Sequence, residues 1–285
     1  MANKSTVTYN GNVISEAEEE GNVKVVYDGK TLAEISAGGK KTILCAGKIM
    51  QKNLLIGGKT ILCAMKKMAT NIVVDVESLV PPLAQATWAQ ISEVSRSGQA
   101  SQYWNIGDTR SVVLSGATYT VQIVAFDHYD VADSASYGRT KAGIVFQFKD
   151  AIDANLNFND TQSYANDWVT NYCDCSEFVP TIKYPALSAY NASSVTTYQK
   201  KGINPSEQEI FGTTTQEKLA VGTQFAFYAA GNSKVKIING TTNKTDWWTR
   251  SFASLSSYRT YVNTSGNSSR GSYSSQKKCA PVFCI

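Results

Sequence analysis

Ser111-Val112-Val113-Leu114-Ser115-Gly116-Ala117-Thr118-Tyr119-Thr120-Val121-Gln122-Ile123-Val124-Ala125 reads as a β-hairpin, two β-prone arms joined by a Ser-Gly turn. In the second arm Tyr119, Val121, Ile123 and Ala125 alternate with Thr118, Thr120, Gln122 and Val124, the period-two pattern of a half-buried strand. Upstream, residues 83–97 read as a helix: Pro82 suits its first turn, Gly98 its C-cap, and Leu83, Ala84, Trp88, Ile91 and Val94 share one face. Downstream, residues 142–148 read as a strand, and a second helical stretch surrounds Trp168-Val169. Weak periodicity makes 180–208 loop-rich, whereas 220–229 and 235–238 read as strands. The apolar ending Pro281-Val282-Phe283-Cys284-Ile285 is expected to be buried. The fold class is α+β.

The first 80 residues have a different texture. Val7-Thr8-Tyr9 and Val13-Ile14 flank Asn10-Gly11-Asn12, and residues 23–27 run into Asp28-Gly29, both hairpin signals. Lys41-Thr42-Ile43-Leu44-Cys45-Ala46 recurs as Lys59-Thr60-Ile61-Leu62-Cys63-Ala64, and 48–56 corresponds to 66–74 at the same offset of 18 residues. Two copies fit either stacked β-units or a hairpin duplication. Glu16-Ala17-Glu18-Glu19-Glu20 reads as a solvated loop. Val80-Pro81-Pro82 punctuates the chain, giving a β-rich module over 1–80 and a second domain over 82–285. A length of 285 residues accommodates two domains.

Composition narrows the function. Charged residues make up only 18%, and the excess of 27 cations over 23 anions, +4, is too small for a general nucleic-acid binder. No 18-residue apolar run is available to insert in a membrane, and the start of the chain has no secretory leader pattern. His128 stands alone, which removes most His-based triads and multi-His metal sites; its reading is a structural hydrogen-bonding residue, with ligand or base as the alternative. Asp127, Asp130 and Asp133 have an oxygen-donor spacing without the glycine and terminal glutamate of an EF-hand loop. The six cysteines (Cys45, Cys63, Cys173, Cys175, Cys279 and Cys284) lack paired C-x-x-C spacing and read as buried or free thiols. No metal and no cofactor is expected.

Residues 251–275 are unlike the rest. Ser, Tyr, Asn, Thr and Gly fill 19 of these 25 positions, and from 251 onward Arg259, Arg270, Lys277 and Lys278 occur without any Asp or Glu. Trp247-Trp248 and Pro281-Val282-Phe283 bracket the segment and would hold it as a loop on a packed scaffold. Tyrosine offers amphipathic area at low entropic cost and Ser, Gly and Asn offer adaptable hydrogen bonds, the chemistry of a paratope; a polar surface loop with no ligand has the same composition. Trp247 and Trp248 read as core, or alternatively as a sugar-stacking pair.

From about residue 86 to 285 the chain resembles a phage and prophage domain family with a C-type-lectin-like fold, related in fold to formylglycine-generating enzymes. The resemblance is carried, in order, by Trp88-Ala89-Gln90-Ile91, Tyr103-Trp104-Asn105-Ile106-Gly107-Asp108, residues 119–128, Gly143-Ile144-Val145-Phe146, Trp247-Trp248-Thr249-Arg250-Ser251 and Pro281-Val282-Phe283-Cys284-Ile285. It implies two helices with small antiparallel sheets. It also implies a place at a phage tail tip in the virion, after synthesis in the bacterial cytoplasm. A subset of such proteins resembles the variable proteins of diversity-generating retroelements, and the composition of 251–275 is similar to the trace of that process. The expected function is therefore host attachment through a hypervariable ligand-binding surface. Its contact residues would be Ser254, Ser256, Ser257, Tyr258, Tyr261, Asn263, Ser265, Asn267, Ser268, Ser272 and Tyr273. The implied partners are a host cell-surface receptor (protein or glycan), other phage tail proteins, and further copies of the chain, with a trimer expected from tail-protein analogy. The Lys-x-Met-x-x-Asn repeat resembles prophage tail and baseplate segments and implies attachment or oligomerisation by 1–80. Alternatives are a fixed-specificity adhesin, a purely structural tail protein and, through Cys279 and Cys284, a formylglycine-generating-type oxidase. The expectation is a binder and not an enzyme.

Overall fold

The computed structural model describes residues 80–285 with their side chains and, within the first 79, the backbones of nine strands. The chain divides into two compact units, Met1–Pro81 and Pro82–Ile285. In the first unit β1 (Ser5–Tyr9), β2 (Asn12–Ala17), β3 (Asn22–Tyr27) and β4 (Lys30–Ser36) form an antiparallel sheet in chain order. Both Asn-Gly and Asp-Gly signals fall between paired strands. Part of the acidic run lies in β2 and the remainder lies outside the described residues. The repeat supplies β5 (Thr42–Ala46), β6 (Asn53–Ile56), β7 (Lys59–Leu62), β8 (Met65–Met68) and β9 (Asn71–Asp75). Its copies pair reciprocally: β5 of the first copy with β9 of the second, and β7 of the second with β6 of the first.

The second unit is a mixture of helices and sheets, α+β at this level. Its first helix, α1 (Trp88–Ser97), starts five residues later than the apolar face predicts. The reason is a capping box: Gln90 N–H donates to Thr87 Oγ1 (3.2 Å) and Thr87 N–H donates to Gln90 Oε1 (2.9 Å), while Leu83 and Ala86 are buried ahead of it. Gly98, at φ +77°, closes the helix as expected. After α2 (Ala100–Tyr103) comes the hairpin of β10 (Thr109–Leu114) and β11 (Ala117–Phe126). Next are β12 (Asp130–Val131), α3 (Ser134–Tyr137), β13 (Ile144–Phe148) and β14 (Ile152–Leu156). Then α4 (Phe158–Asp167) continues into a π-helical turn at Trp168–Tyr172, so a helical stretch surrounds Trp168-Val169 as expected.

Residues 180–208 hold more structure than their periodicity suggests: β15 (Ile182–Ala186), β16 (Thr196–Lys200), β17 (Gly202–Ile203) and the start of α5 (Glu207–Phe211). The strand expected over 220–229 is instead a bend through Gly222 (φ +86°) into α6 (Ala226–Ala229), which buries Phe225 and Tyr228, three residues apart. The remaining strands are β18 (Lys236–Ile237), β19 (Lys244–Thr245), β20 (Trp247–Phe252), β21 (Tyr258–Val262), β22 (Ser268–Ser272), β23 (Lys277–Cys279) and β24 (Val282–Cys284).

Two five-stranded sheets organise the unit, ordered β10-β11-β13-β24-β17 and β14-β23-β20-β21-β22. In the first, Ile123, Phe146 and Phe283 line up across β11, β13 and β24, and Trp88 of α1 meets Phe146 edge-on at 5.8 Å. The opposite face carries Val124, Val145, Val282 and Cys284 into a core shared with Tyr129, Ile210, Phe225, Tyr228 and Trp247. Covering on both faces buries Val121 through Ala125 without a break, so the alternation of β11 does not make it half-buried. Gln147 is a fully buried polar residue here, satisfied by accepting from Tyr228 Oη (2.6 Å) and by donating to Ala280 O (3.1 Å).

Candidate ligand-binding surface

The second sheet builds the surface. Trp247 and Trp248 are both fully buried on adjacent positions of β20, one facing each layer. Trp247 Nε1 donates to Lys234 O (3.1 Å) and Trp248 Nε1 to Leu156 O (2.9 Å). Neither ring has a free face, so the core reading holds and sugar stacking does not. β20 lies antiparallel to β21 and parallel to β23, and β22 forms the outer edge. Residues 251–275 are therefore not one loop but most of a three-stranded meander with two turns.

Six of the expected contact residues meet at one end of this meander. Ser254, Ser256, Ser257 and Tyr258 belong to the β20–β21 turn, Ser272 faces Tyr258 across the ladder, and Tyr273 N–H donates to Ser257 O (3.0 Å). One residue not expected from sequence, Leu255, joins them; a second exposed residue, Tyr190, is tied to β20 through Lys218. Leu255 projects from the same turn, and Tyr190 comes from the β15–β16 connection. Lys218 links that connection to β20, its Nζ donating to Tyr190 O (2.7 Å) and its N–H to Phe252 O (2.9 Å). Tyr190, Leu255, Tyr258 and Tyr273 are 40%, 46%, 38% and 45% exposed, although large apolar side chains elsewhere in the unit are mostly buried. Arg259 braces the turn. Its guanidinium lies 4.2 Å from the centre of the Phe252 ring and 5.7 Å from that of Tyr273, and donates to Ser256 O (3.0 Å) and Tyr258 O (2.9 Å).

The other five are elsewhere. Asn263, Ser265 and Asn267 form the β21–β22 turn, closed on itself by Ser265 and Asn267 N–H groups donating to Asn263 Oδ1 (2.9 and 3.0 Å). The length of β21 separates this turn from the first by about 14 Å. Tyr261 is half-buried over Gly271, packed edge-on to Trp248, with Lys277 Nζ 3.6 Å from its ring centre. Ser268 is half-buried and its hydroxyl donates to Glu207. The eleven residues do not form one patch; Tyr261 and Ser268 serve the scaffold.

Beneath the meander lies a buried charge network. Ser206 caps α5, with its hydroxyl accepting from Glu209 N–H (3.0 Å). Glu207 accepts from the N–H groups of Thr215 (3.1 Å), Gln216 (3.0 Å) and Glu217, and from the Thr215 hydroxyl (2.9 Å). Glu209 holds Arg250 in a two-pronged pair (2.5 and 2.6 Å), and Arg250 also donates to Asn204 O (3.1 Å) and Pro185 O (3.2 Å). Burial opposes ionisation of Glu209, but Arg250 overcomes it and brings the carboxyl down to about 2. Glu217 has no such partner. Burial pushes it up to about 8 against the Ser251 hydroxyl, which donates to Oε1 at 2.6 Å. His128 Nε2 lies 3.8 Å from Glu209 Oε1, fitting its structural reading.

Other chemical candidates are engaged. Asp127 pairs with Arg139 (3.0 Å), Asp130 with Lys141 (3.2 Å), and Asp133 Oδ1 accepts from Ser136 N–H (3.0 Å), so the three aspartates do not converge. Cys279 and Cys284 are fully buried, and burial pushes both thiols well above the usual range, which suppresses the reactive thiolate. No described helix is long and apolar enough to cross a membrane.

No curated protein and no solved structure matches the chain. Residues 175–285, which hold the whole meander and the charge network under it, are similar to the family described as "Domain of unknown function (DUF6273)".

Proposed function

We propose that the chain is a phage or prophage tail-tip protein that attaches to a host cell-surface receptor through a C-type-lectin-like unit. The observation that carries this reading is the exposure of Leu255, Tyr258 and Tyr273 among serines at one end of a hydrogen-bonded meander. Large aromatic anchors surrounded by small adaptable polar groups suit recognition of a protein or glycan surface. Residues 1–81 serve attachment to other tail proteins and assembly into a trimer, which raises avidity for a receptor presented in many copies. If a retroelement diversifies 251–275, the tolerant positions are Ser254–Tyr258 and Ser272–Ser274, because Ser251, Thr260 and Ser268 are tied into the interior.

The test is adsorption to host cells of particles carrying Leu255→Ala, Tyr258→Ala and Tyr273→Ala together. Two or three anchors at about 2 kcal/mol each predict a loss of at least 100-fold in affinity with an unchanged fold. Unchanged adsorption would remove the cluster from the function. Sequencing of the gene's 3′ end in a phage population then separates a diversified surface from a fixed-specificity adhesin.

A further inference from the structure

We propose that Cys173 and Cys175 are a reversible dithiol that closes to a disulfide across a single turn when a small disulfide oxidant is present. The two sulfurs lie 2.9 Å apart. Ser176 N–H donates to Cys173 O (3.1 Å), which folds residues 173–176 into a turn, with Cys175 at φ −98°, ψ 1°. Such a turn draws the α-carbons of residues i and i+2 together, toward the separation of about 4.4–6.8 Å that disulfides need. The turn is fastened on three sides. Cys173 bridges Leu114, Asp174 N–H donates to Val113 O (3.0 Å), and Trp88 Nε1 donates to Asp174 Oδ1 (3.1 Å). Its tip is therefore held in a geometry that favours closure over opening.

A metal site fits the same atoms less well. Two zinc–sulfur bonds of 2.3 Å at a tetrahedral angle hold their sulfurs about 3.8 Å apart. Asp174 is the third donor of the cluster, no fourth His, Cys, Asp or Glu joins it among the described residues, and its Oδ1 is occupied by Trp88. Cys279 and Cys284, also buried, belong to no such cluster.

The chemistry balances with a disulfide RSSR as oxidant. Cys173, the less buried of the two, loses its proton and attacks one sulfur of RSSR, releasing RSH and leaving a mixed disulfide. The Cys175 sulfur loses its proton and displaces the second RSH. Two thiols are oxidised, one disulfide is reduced to two thiols, and the protons leave on the products. Burial first and Cys173 second push the Cys175 thiol up, so closure is slow at neutral pH and quickens as pH rises.

The test uses the full chain and oxidised glutathione, both on the native protein and during refolding from urea, the latter removing access as a limit. After alkylation and trypsin, peptide 150–183 carries both residues and no other cysteine. Expected is an unalkylated peptide two hydrogens lighter, restored to a doubly alkylated form by dithiothreitol, and no such product from Cys175→Ser. A doubly alkylated peptide after oxidative refolding overturns the proposal. So does pairing of either residue with another cysteine, or stoichiometric protection of both thiols by zinc ion alone.

Discussion

Glu217→Gln isolates the least compensated charge in the network. The wild-type carboxyl rises from 4.5 in the unfolded chain to about 8 in the fold, because burial outweighs the Ser251 hydroxyl and Arg250. A folded pKa above the unfolded one stabilises fully below pH 4.5, and this contribution is lost as pH rises through about 8. The difference of 3.5 units sets a ceiling of about 5 kcal/mol, and relaxation with water entry reduces the observable effect to about 2–3 kcal/mol. The amide keeps an acceptor for Gln208 N–H and places a donor toward Ser251 Oγ, the pattern of the protonated acid. Glu207 and Arg250, the other charges facing the site, are unchanged. The assay is urea unfolding followed by tryptophan fluorescence at pH 4, 7 and 9, reporting on the five buried tryptophans of this unit. Wild type and variant should match at pH 4, and the variant should be the more stable by 2–3 kcal/mol at pH 9. Lys236, which burial lowers to about 7, gains stability in the opposite direction as pH rises, but it contributes equally to both proteins and cancels in the difference. A difference that is absent at pH 9, or equal at pH 4 and pH 9, would refute the reasoning.

Arg250→Met leaves Glu209 buried without its partner and should cost about 3–5 kcal/mol at pH 7 in the same unfolding assay. Glu209 is held at about 2, below its unfolded value of 4.5, so its contribution is present above 4.5 and is lost as pH falls toward 2; the variant should have a shallower acid limb. Gly143→Ala would set a Cβ 2.5 Å from Ser95 O, where α1 and β13 touch, and should cost 1–3 kcal/mol by thermal unfolding.

The parts that could be read from sequence were those fixed by neighbours in the chain. The Ser115-Gly116 hairpin and the Gly98 stop follow from local chemistry, whereas the core reading of Trp247-Trp248 comes from the resemblance. The capping boxes were also present as Thr87-x-x-Gln90 and Ser206-x-x-Glu209, and the first of them corrects the start of α1. What was hidden depends on distant partners. Glu207, Glu209 and Glu217 look like a solvated face in a linear reading, and only Arg250, Ser251 and the N–H groups of 215–217 make them interior residues. The chosen contact residues were separated by the same kind of effect. Composition marks Ser268 and Tyr261 as equal to Tyr258, but Ser268, on the same face as Tyr258, lies at the far end of the ladder against Glu207, and strand parity sets Tyr261 on the opposite face beneath Lys277. Leu255 had a visible signal, an isolated large apolar residue in a serine run. Tyr190 had none, since its place beside β20 depends on Lys218.

The position of β24 bears on how the gene tolerates change. Val282–Cys284 lies between β13 and β17 in the first sheet and is later in the chain than every other strand of that sheet. A nascent chain must therefore release these residues from the ribosome before the sheet can close around them. Any frameshift or premature stop within 251–275 deletes the strand and leaves Val145, Phe146 and Gln147 paired with β11 alone. Only copies of the chain that keep the reading frame to Val282 complete this sheet.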